Sequence, residues 1–361
     1  MPYNTAVITS GTKNKKVAIG LSGGVDSSVS AYLLKEQGYD VVGVYMHCWN
    51  PDEPGCTSSE DKKYAIETAA KLGIKIEILD FIKEYKDKVI SYFYDEYSKG
   101  RTPNPDVMCN KEIKFGMFFD WAMARGFDYV ATGHYARITN NGNTYSLLKG
   151  VDPLKDQSYF LYRLNQDQLA KILFPVGGML KTEIRRIAEE IHLPTAKRPD
   201  STGICFIGEV DIKEFLKKQI ASKTGNVVLK TGEVIGTHEG AWYYTIGQRR
   251  GFNVTKYQGT PLYIISKNVE KNELVVGVEE DLYVKEFEVE DIHWTDGKTR
   301  NIDSKEGTFK CGVRIRHLGE VFDAYVDLPK ITLDKAAFGI APGQSAVFYD
   351  GDVLLGGAII K

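Results

Sequence analysis

Between Lys16 and Thr132, short apolar runs alternate with longer stretches whose apolar residues recur every three or four positions. Lys16–Leu21 (KVAIGL), Asp40–Met46 (DVVGVYM), Ile74–Leu79 (IKIEIL) and Tyr129–Thr132 read as strands. Ser27–Gln37, Asp61–Leu72, Lys83–Lys99 and Lys111–Arg125 read as helices, the first ended by Gly38. This alternation predicts an α/β fold, a doubly wound parallel sheet with helices on both faces. Ligands of such sheets sit beyond the carboxyl ends of the strands. Past about residue 215 the helical period vanishes. Short β-branched runs separated by turn pairs take over, and Asp350-Gly351 is a tight hairpin signal. Small antiparallel β domains are expected there, the last one barrel-like. The chain divides on this reading at 1–215, 216–280 and 281–361.

Composition narrows the class. The 361 residues are 43% hydrophobic and 26% charged, as a folded globular chain should be. No apolar run is long enough to span a bilayer, and the first sixteen residues lack a signal-peptide core. A cytoplasmic monomer without a membrane partner is expected. Five cysteines without a secretion signal argue against a disulfide framework and leave room for a reactive thiol. The net charge of −2 means that a polyanionic partner would need a local basic face. QRRG (Gln248–Gly251), VRIRH (Val313–His317) and KRP (Lys197–Pro199) are the available clusters, each of which alone reads more simply as solvated surface charge.

The most informative stretch is Ser22-Gly23-Gly24-Val25-Asp26-Ser27, between the first strand and the first helix. Neither G-x-G-x-x-G nor the Walker pattern is present; Gly297-Lys298-Thr299 mimics only the end of the latter. The loop nonetheless suits phosphate. Two glycines let backbone N–H groups approach an anion, and the following helix points its N-terminus at the same place. Ser22 and Ser27 add hydroxyls. Asp26 repels phosphate but suits a Mg²⁺ ion that bridges phosphate oxygens. The plain alternative is a strand–turn–helix connection with a serine cap.

SGGVDS resembles the signature of the N-type ATP pyrophosphatases. That likeness implies an adenine nucleotide alpha hydrolase-like fold and a loop that grips the β,γ-pyrophosphate of ATP while AMP is transferred. Pyrophosphate would leave whole, so no lysine would be needed to carry a migrating phosphoryl group.

Two cysteine segments refine the picture. In GRTPNPDVMCNKEIKF (Gly100–Phe115), Cys109 follows a proline turn and opens a helical run, where a thiolate is stabilised. Asp106 stands three residues earlier, and Lys111 and Lys114 offer compensating charge. In RPDSTGICFIGE (Arg198–Glu209), Cys205 lies in an apolar run. Alone, each would read as a packed structural cysteine. Together with these segments, ATGHYARI, KDQSYFLYRL, YTIGQRRG and APGQSAVFYDG make nearly the whole chain resemble the tRNA-specific 2-thiouridylases. The resemblance implies ATP-dependent thiolation of the wobble uridine (U34) in lysine, glutamate and glutamine tRNAs. It implies ATP and Mg²⁺ as cofactors, and a persulfide-donating sulfur carrier or cysteine desulfurase as partner. Cys109 would be the nucleophile, Cys205 the persulfide carrier, and Asp106 their acid/base neighbour. Gly20, Leu21, Ser22, Gly23, Gly24, Val25, Asp26, Ser27, Met46 and Gly133 would hold the nucleotide, Asp26 through Mg²⁺. Asn104, Pro105 and Asp106 would touch the target base. His134, Lys155, Asp156, Gln157, Arg314 and Gln344 would lie against tRNA. The chain departs from the family at Ile315, where an aromatic residue is common.

The remaining cysteines read quietly. His47, Cys48 and Cys56 frame a loop whose spacing fits no zinc pattern, and Cys311 reads as a buried strand residue. No C-x-x-C pair occurs, although a three-cysteine iron–sulfur cluster stays open. Two rival functions share the loop: an AMP-forming ligase with a nitrogen donor, which would not need the cysteines, and an RNA-binding protein with a relic loop.

Overall fold

The computed structural model describes residues 14–50, 58–140, 142, 144–200, 203–208, 210–297 and 309–361. The N-terminal tail before Asn14, Cys56, Lys298 and Thr299 lie outside the described residues.

The first four strands are β1 (Lys16–Gly20), β2 (Asp40–His47), β3 (Lys75–Asp80) and β4 (Tyr129–Ala131). A hairpin, β5 (Ala136–Asn140) and β6 (Tyr145–Lys149), and a short β7 (Ile172–Leu173) follow. Five of these form a parallel sheet in the order β3-β2-β1-β4-β7. Helices cover both faces. Val17 and Ile19 of β1 pack with Val29, Ala65 and Ile184 on one side, and Ala18 packs with Val44, Met46 and Phe118 on the other. Burial on both faces explains why β1 is a continuous apolar run. β3 is one of the two edges, and its Ile78 is 45% exposed. The strand order reverses between β1 and β4, so the loops after these two strands flank the crevice where doubly wound sheets bind ligands.

The sequence reading misplaces one important helix start. The helix expected at Lys111 begins at Pro105. The Asn104 side chain caps it by accepting the Val107 N–H at 3.2 Å, and proline occupies the first turn, where its missing N–H costs nothing. From Asn110 to Met117 the helix widens into π turns before continuing as Phe118–Ala124. Cys109 therefore sits inside a helix rather than at its start.

The second sheet holds β8 (Gly225–Leu229), β9 (Val234–His238), β10 (Asn253–Val254), β11 (Tyr263–Asn268) and β12 (Glu273–Gly277). Its order is β10-β9-β8-β12-β11, antiparallel apart from the β8–β12 pair. The last part comprises β13 (Tyr283–Trp294), β14 (Phe309–Arg314), β15 (Phe322–Asp327), β16 (Lys330–Phe338), β17 (Ser345–Asp350) and β18 (Val353–Ile360). They pair in the order β13-β16-β15-β14-β17-β18, and β18 returns to β13 to close a six-stranded barrel. Closure removes the free edges of the ring. Cys311 is buried on β14, as read from the sequence.

The barrel is also stitched to the α/β part. β6 pairs with β18 through Leu147 and Leu148, so the β5–β6 hairpin extends the barrel sheet. The segment leading to the Asn104 cap is held from both β parts. The Thr102 N–H donates to Pro342 O at 2.7 Å, and Gln344 Nε2 donates to Thr102 O at 2.9 Å and Pro103 O at 3.1 Å. The hydroxyls of Thr102 and Thr245 meet at 3.1 Å. Among the described residues no helix is long and apolar enough to cross a membrane.

Candidate active site

The loop after β1 turns into the Val25–Glu36 helix with Gly24 as N-cap, and no side chain caps that helix. The serine-cap alternative is therefore absent. Ser27 Oγ and Ser28 Oγ instead donate back to Gly24 O, at 3.0 and 2.9 Å. Ser22 and Ser27 close the loop on itself, with their hydroxyls 3.2 Å apart. The helix N-terminus keeps its outward N–H groups for an anion. Gly23 has φ +78°, and a Cβ there would lie 2.4 Å from Asp61 O. Arg198 clamps the same turn, donating from Nη1 to Gly23 O at 2.7 Å and pairing with Asp61. From the β4 side Gly133 presses on the helix start, since a Cβ there would sit 2.7 Å from Ser27 N. Gly23 is required both by its left-handed backbone and by backbone contact, Gly133 by backbone contact alone.

These loops open on a cavity of about 950 Å³, within the ~300–1,000 Å³ typical of small-molecule sites. Gly20, Leu21, Ser22, Gly24, Val25, Asp26, Ser27, Met46 and Gly133 line it; Gly23 stands behind, under Arg198. Asp106, His134, Lys155, Gln157 and Cys205 line the same cavity.

Cys205 and Cys109 meet at its far wall. Both are free thiols within hydrogen-bond reach of each other. Cys109 is fully buried, while Cys205 faces the cavity. Burial, and then the bond to Cys205, push the Cys109 thiol well above its ordinary range. Cys205 moves the opposite way: the Cys109 S–H donates to it and Lys114 adds positive charge, which together outweigh burial. The helix-start argument favoured Cys109 as the more acidic thiol; its burial and the Lys114 charge beside Cys205 shift that tendency to Cys205. Lys114 is drawn inward, kept charged against burial by Cys205, Cys109 and Asp106. Lys111 stays outside on Glu112 at 3.2 Å. Asp106 Oδ1 accepts the Cys205 N–H at 3.0 Å, and burial lifts its carboxyl above the usual range. Tyr85 Oη fixes the same residue by donating to Cys205 O at 2.6 Å. His134 is buried, bonded to Thr132 Oγ1 at 2.7 Å and 3.4 Å from Lys114 Nζ; burial and that cation keep the ring neutral.

Comparison with known proteins agrees on the lineage. Family models described as the tRNA methyl transferase HUP domain, the tRNA methyl transferase PRC-barrel domain and the aminomethyltransferase beta-barrel domain match residues 15–209, 213–278 and 284–360. A tRNA-specific 2-thiouridylase MnmA from Chromobacterium violaceum is 46% identical over 360 residues, 97% of this chain and 93% of that one. Its namesake in Bacillus cytotoxicus is 48% identical over 355 residues, 96% and 94% of the two chains. The chain belongs to the tRNA-specific 2-thiouridylase family. Among solved structures, the U34-tRNA thiolase NcsA from Methanococcus maripaludis aligns over 58% of this chain and 68% of its own at 23% identity, with a TM-score of 0.36.

The other residues singled out from the family pattern are held by partners within the chain. Asp156 and Arg314 form a buried ion pair at 2.7 Å between the α/β part and the barrel. Gln344 is committed to Thr102 and Pro103, and Asn104 to its cap. Pro105 starts the helix, Lys155 pairs with Asp200 at 2.7 Å, and Gln157 accepts the Tyr135 N–H at 3.0 Å. Of the basic clusters, Lys197, Arg249, Arg250 and Arg316 are exposed, and Lys197 also lines the cavity. Cys48 is buried and also lines the cavity. Among the described residues no group of three or more His, Cys, Asp and Glu could hold a metal ion.

Sequence reasoning missed Lys181. It opens the Lys181–Glu190 helix, and its Nζ donates to Asp26 Oδ1 at 2.7 Å and Oδ2 at 2.8 Å. Tyr135 Oη donates to Asp26 Oδ1 at 2.7 Å. Position 181 lies far along the chain from the loop, and only the packing of its helix beside Val25–Glu36 brings them together.

Proposed function

We propose that this chain thiolates the wobble uridine of tRNA at C2, using ATP to activate the oxygen and a cysteine persulfide to supply sulfur. One observation carries the reading: an uncapped phosphate-type loop and Cys205, with the buried Cys109 behind it, meet at one cavity. The relatives' name points to the same product. The methyl-transfer wording of the family models has no counterpart in this chemistry, since a methyl donor needs neither a pyrophosphate loop nor two thiols.

The loop and the Val25–Glu36 N-terminus hold the β- and γ-phosphates while the uridine O2 attacks the α-phosphorus. Pyrophosphate leaves, and O2 becomes part of a phosphate ester that can depart as AMP. Met46 and Gly133 flank the adenosine. Asp26 suits a Mg²⁺ ion only jointly with phosphate oxygens, because a single carboxylate makes no cage. Bound there, the ion would neutralise charge on the pyrophosphate.

A sulfur-donor protein first loads Cys205 as a persulfide. Lys114 holds the terminal sulfur as an anion. That sulfur attacks C2 and AMP leaves with the C2–O bond pair. Asp106 takes the Cys109 proton, a role its raised pKa favours. The Cys109 thiolate then attacks Cys205 Sγ. The old S–S bond breaks, its electron pair stays on the sulfur now bound to C2, and a Cys109–Cys205 disulfide forms. An external dithiol supplies the two electrons that reopen it. The base must be unstacked to enter the cavity. Lys197, Arg249, Arg250 and Arg316 are exposed cations of the basic clusters that could meet tRNA phosphates.

Single-turnover thiolation of an unmodified lysine tRNA tests this, with ATP, Mg²⁺ and a persulfide donor, following AMP and 2-thiouridine. Wild type makes both. Cys109→Ser and Cys205→Ser make no thiouridine. A Cys205→Ser protein that thiolates over several turnovers would sink the sulfur route. Wild type that releases AMP without thiolating any tRNA would overturn the thiolation reading and leave the loop reading intact.

A further inference from the structure

The floor of the cavity carries an ion-pair network that the mechanism above does not use. Lys181 contacts Asp26 through both carboxylate oxygens and Asp200 Oδ1 at 2.9 Å. Asp200 also pairs with Lys155 at 2.7 Å and with Arg185, and the bonds from Lys155 and Lys181 hold its carboxyl well below the usual range despite burial. Asp200 would therefore remain compensated without Lys181. Asp26 is different: the ion pair that holds it comes from Lys181. The Lys181 side chain is 12% exposed, at the cavity wall beside the loop.

An ammonium group has three protons. Here two meet Asp26 and the third meets Asp200. Arg198 is spent on Gly23 O and Asp61, and a polyphosphate entering the loop finds Lys181 committed to the carboxylate that repels it. Moving the lysine from Asp26 to a phosphate oxygen solves both problems together. The phosphate gains a charge-assisted bond, and Asp26 is freed for a cation that travels with the nucleotide.

We propose that Lys181 is a catalytic residue of the nucleotide site: it guards Asp26 in the empty site and transfers its contact to the leaving pyrophosphate when nucleotide binds. This rests on reading the loop as the ATP site. The bland role is a fixed counter-ion that only cancels the Asp26 charge. The two differ once Asp26 is neutralised, because a mere counter-ion then has nothing left to cancel at the loop.

Calorimetric titration of the full chain with pyrophosphate and with AMP, both without Mg²⁺, separates them. The proteins are wild type, Asp26→Asn, and Asp26→Asn/Lys181→Met, each checked for an unchanged melting temperature. Asp26→Asn binds pyrophosphate more tightly than wild type. Adding Lys181→Met then weakens pyrophosphate roughly 10–100-fold, the value of one charge-assisted bond, while AMP changes less than threefold. Equal pyrophosphate affinity in the single and double variants would overturn the proposal. So would an equal loss for AMP and pyrophosphate, which marks collapse of the pocket. If Lys181→Met lowers the melting temperature, Lys181→Arg, which keeps the charge, must restore pyrophosphate binding or the proposal fails. Wild type that binds neither ATP nor pyrophosphate would bring down the loop reading itself, a separate outcome.

Discussion

Arg314→Met distinguishes a structural clamp from an RNA contact. Asp156 is 2% exposed and Arg314 8%, so solvent screens their 2.7 Å pair little. Asp156 Oδ1 also accepts the N–H groups of Gly150 and Ser158, at 3.0 and 3.1 Å. The guanidinium packs 5.2 Å from the Tyr349 ring centroid. Methionine keeps most of the apolar stem and deletes the charge. Breaking a buried pair costs ~3–5 kcal/mol because the surviving charge is stranded. The two backbone donors that stay on Asp156 place this case near ~3 kcal/mol. The cost falls where the barrel meets the α/β part. Amide exchange in β14 and β17 should therefore speed up on the order of 100-fold. Asp156→Asn/Arg314→Met removes both charges while the amide oxygen still accepts the two N–H groups, so it should return to within ~1 kcal/mol of wild type. Hydrogen exchange and urea denaturation of the full chain give the stability, and tRNA binding is measured in parallel. Unchanged exchange in Arg314→Met with a drop in tRNA affinity would refute the reasoning and make Arg314 an RNA contact.

Further outcomes follow from the thiol wall and the loops. The thiolate is the charged form of Cys205, so removing the Lys114 cation raises its pKa; in Lys114→Met the alkylation midpoint of Cys205 by iodoacetamide moves to higher pH, and an unmoved midpoint would show that Lys114 does not stabilise it. Cys109, protonated and buried, should resist alkylation in the folded protein at pH values where Cys205 reacts, as peptide mapping by mass spectrometry can check. Gly133→Ala forces a methyl group against the backbone of Asp26 and Ser27, at 2.8 and 2.7 Å. It should weaken ATP binding at least about tenfold with Cys205 alkylation unaltered; normal ATP affinity would show that the two loops can part at little cost.

Much of this architecture is written locally. KVAIGL is apolar at every position but one because β1 is buried on both faces, and Gly38 ends its helix at φ +85° where a side chain would strain. SGGVDS announces a tight loop before a helix because the backbone contacts around Gly23 leave no room for a Cβ. The helix start at Pro105 was also written, as Asn-Pro, but the polar residues that follow conceal it from a search for apolar period. The barrel strands were visible as β-branched runs, yet their closure was not, since pairing order is a long-range property.

The sequence by itself determined the α/β alternation, the phosphate-type loop and the presence of two distant cysteines in distinctive segments. Tertiary structure alone decided which charges meet them. Local pattern records what a residue needs from its neighbours three or four positions away. It carries nothing about Lys181 reaching Asp26 across 155 positions, or about Asp156 and Arg314 closing on each other instead of facing solvent. The same holds for the thiols. An isolated helix start would lower the pKa of Cys109, but complete burial raises it, and the neighbouring Lys114 charge and the bond from Cys109 lower that of Cys205. Which thiol is the more acidic is set by desolvation and by contacts within a few ångströms, and only the folded chain supplies those.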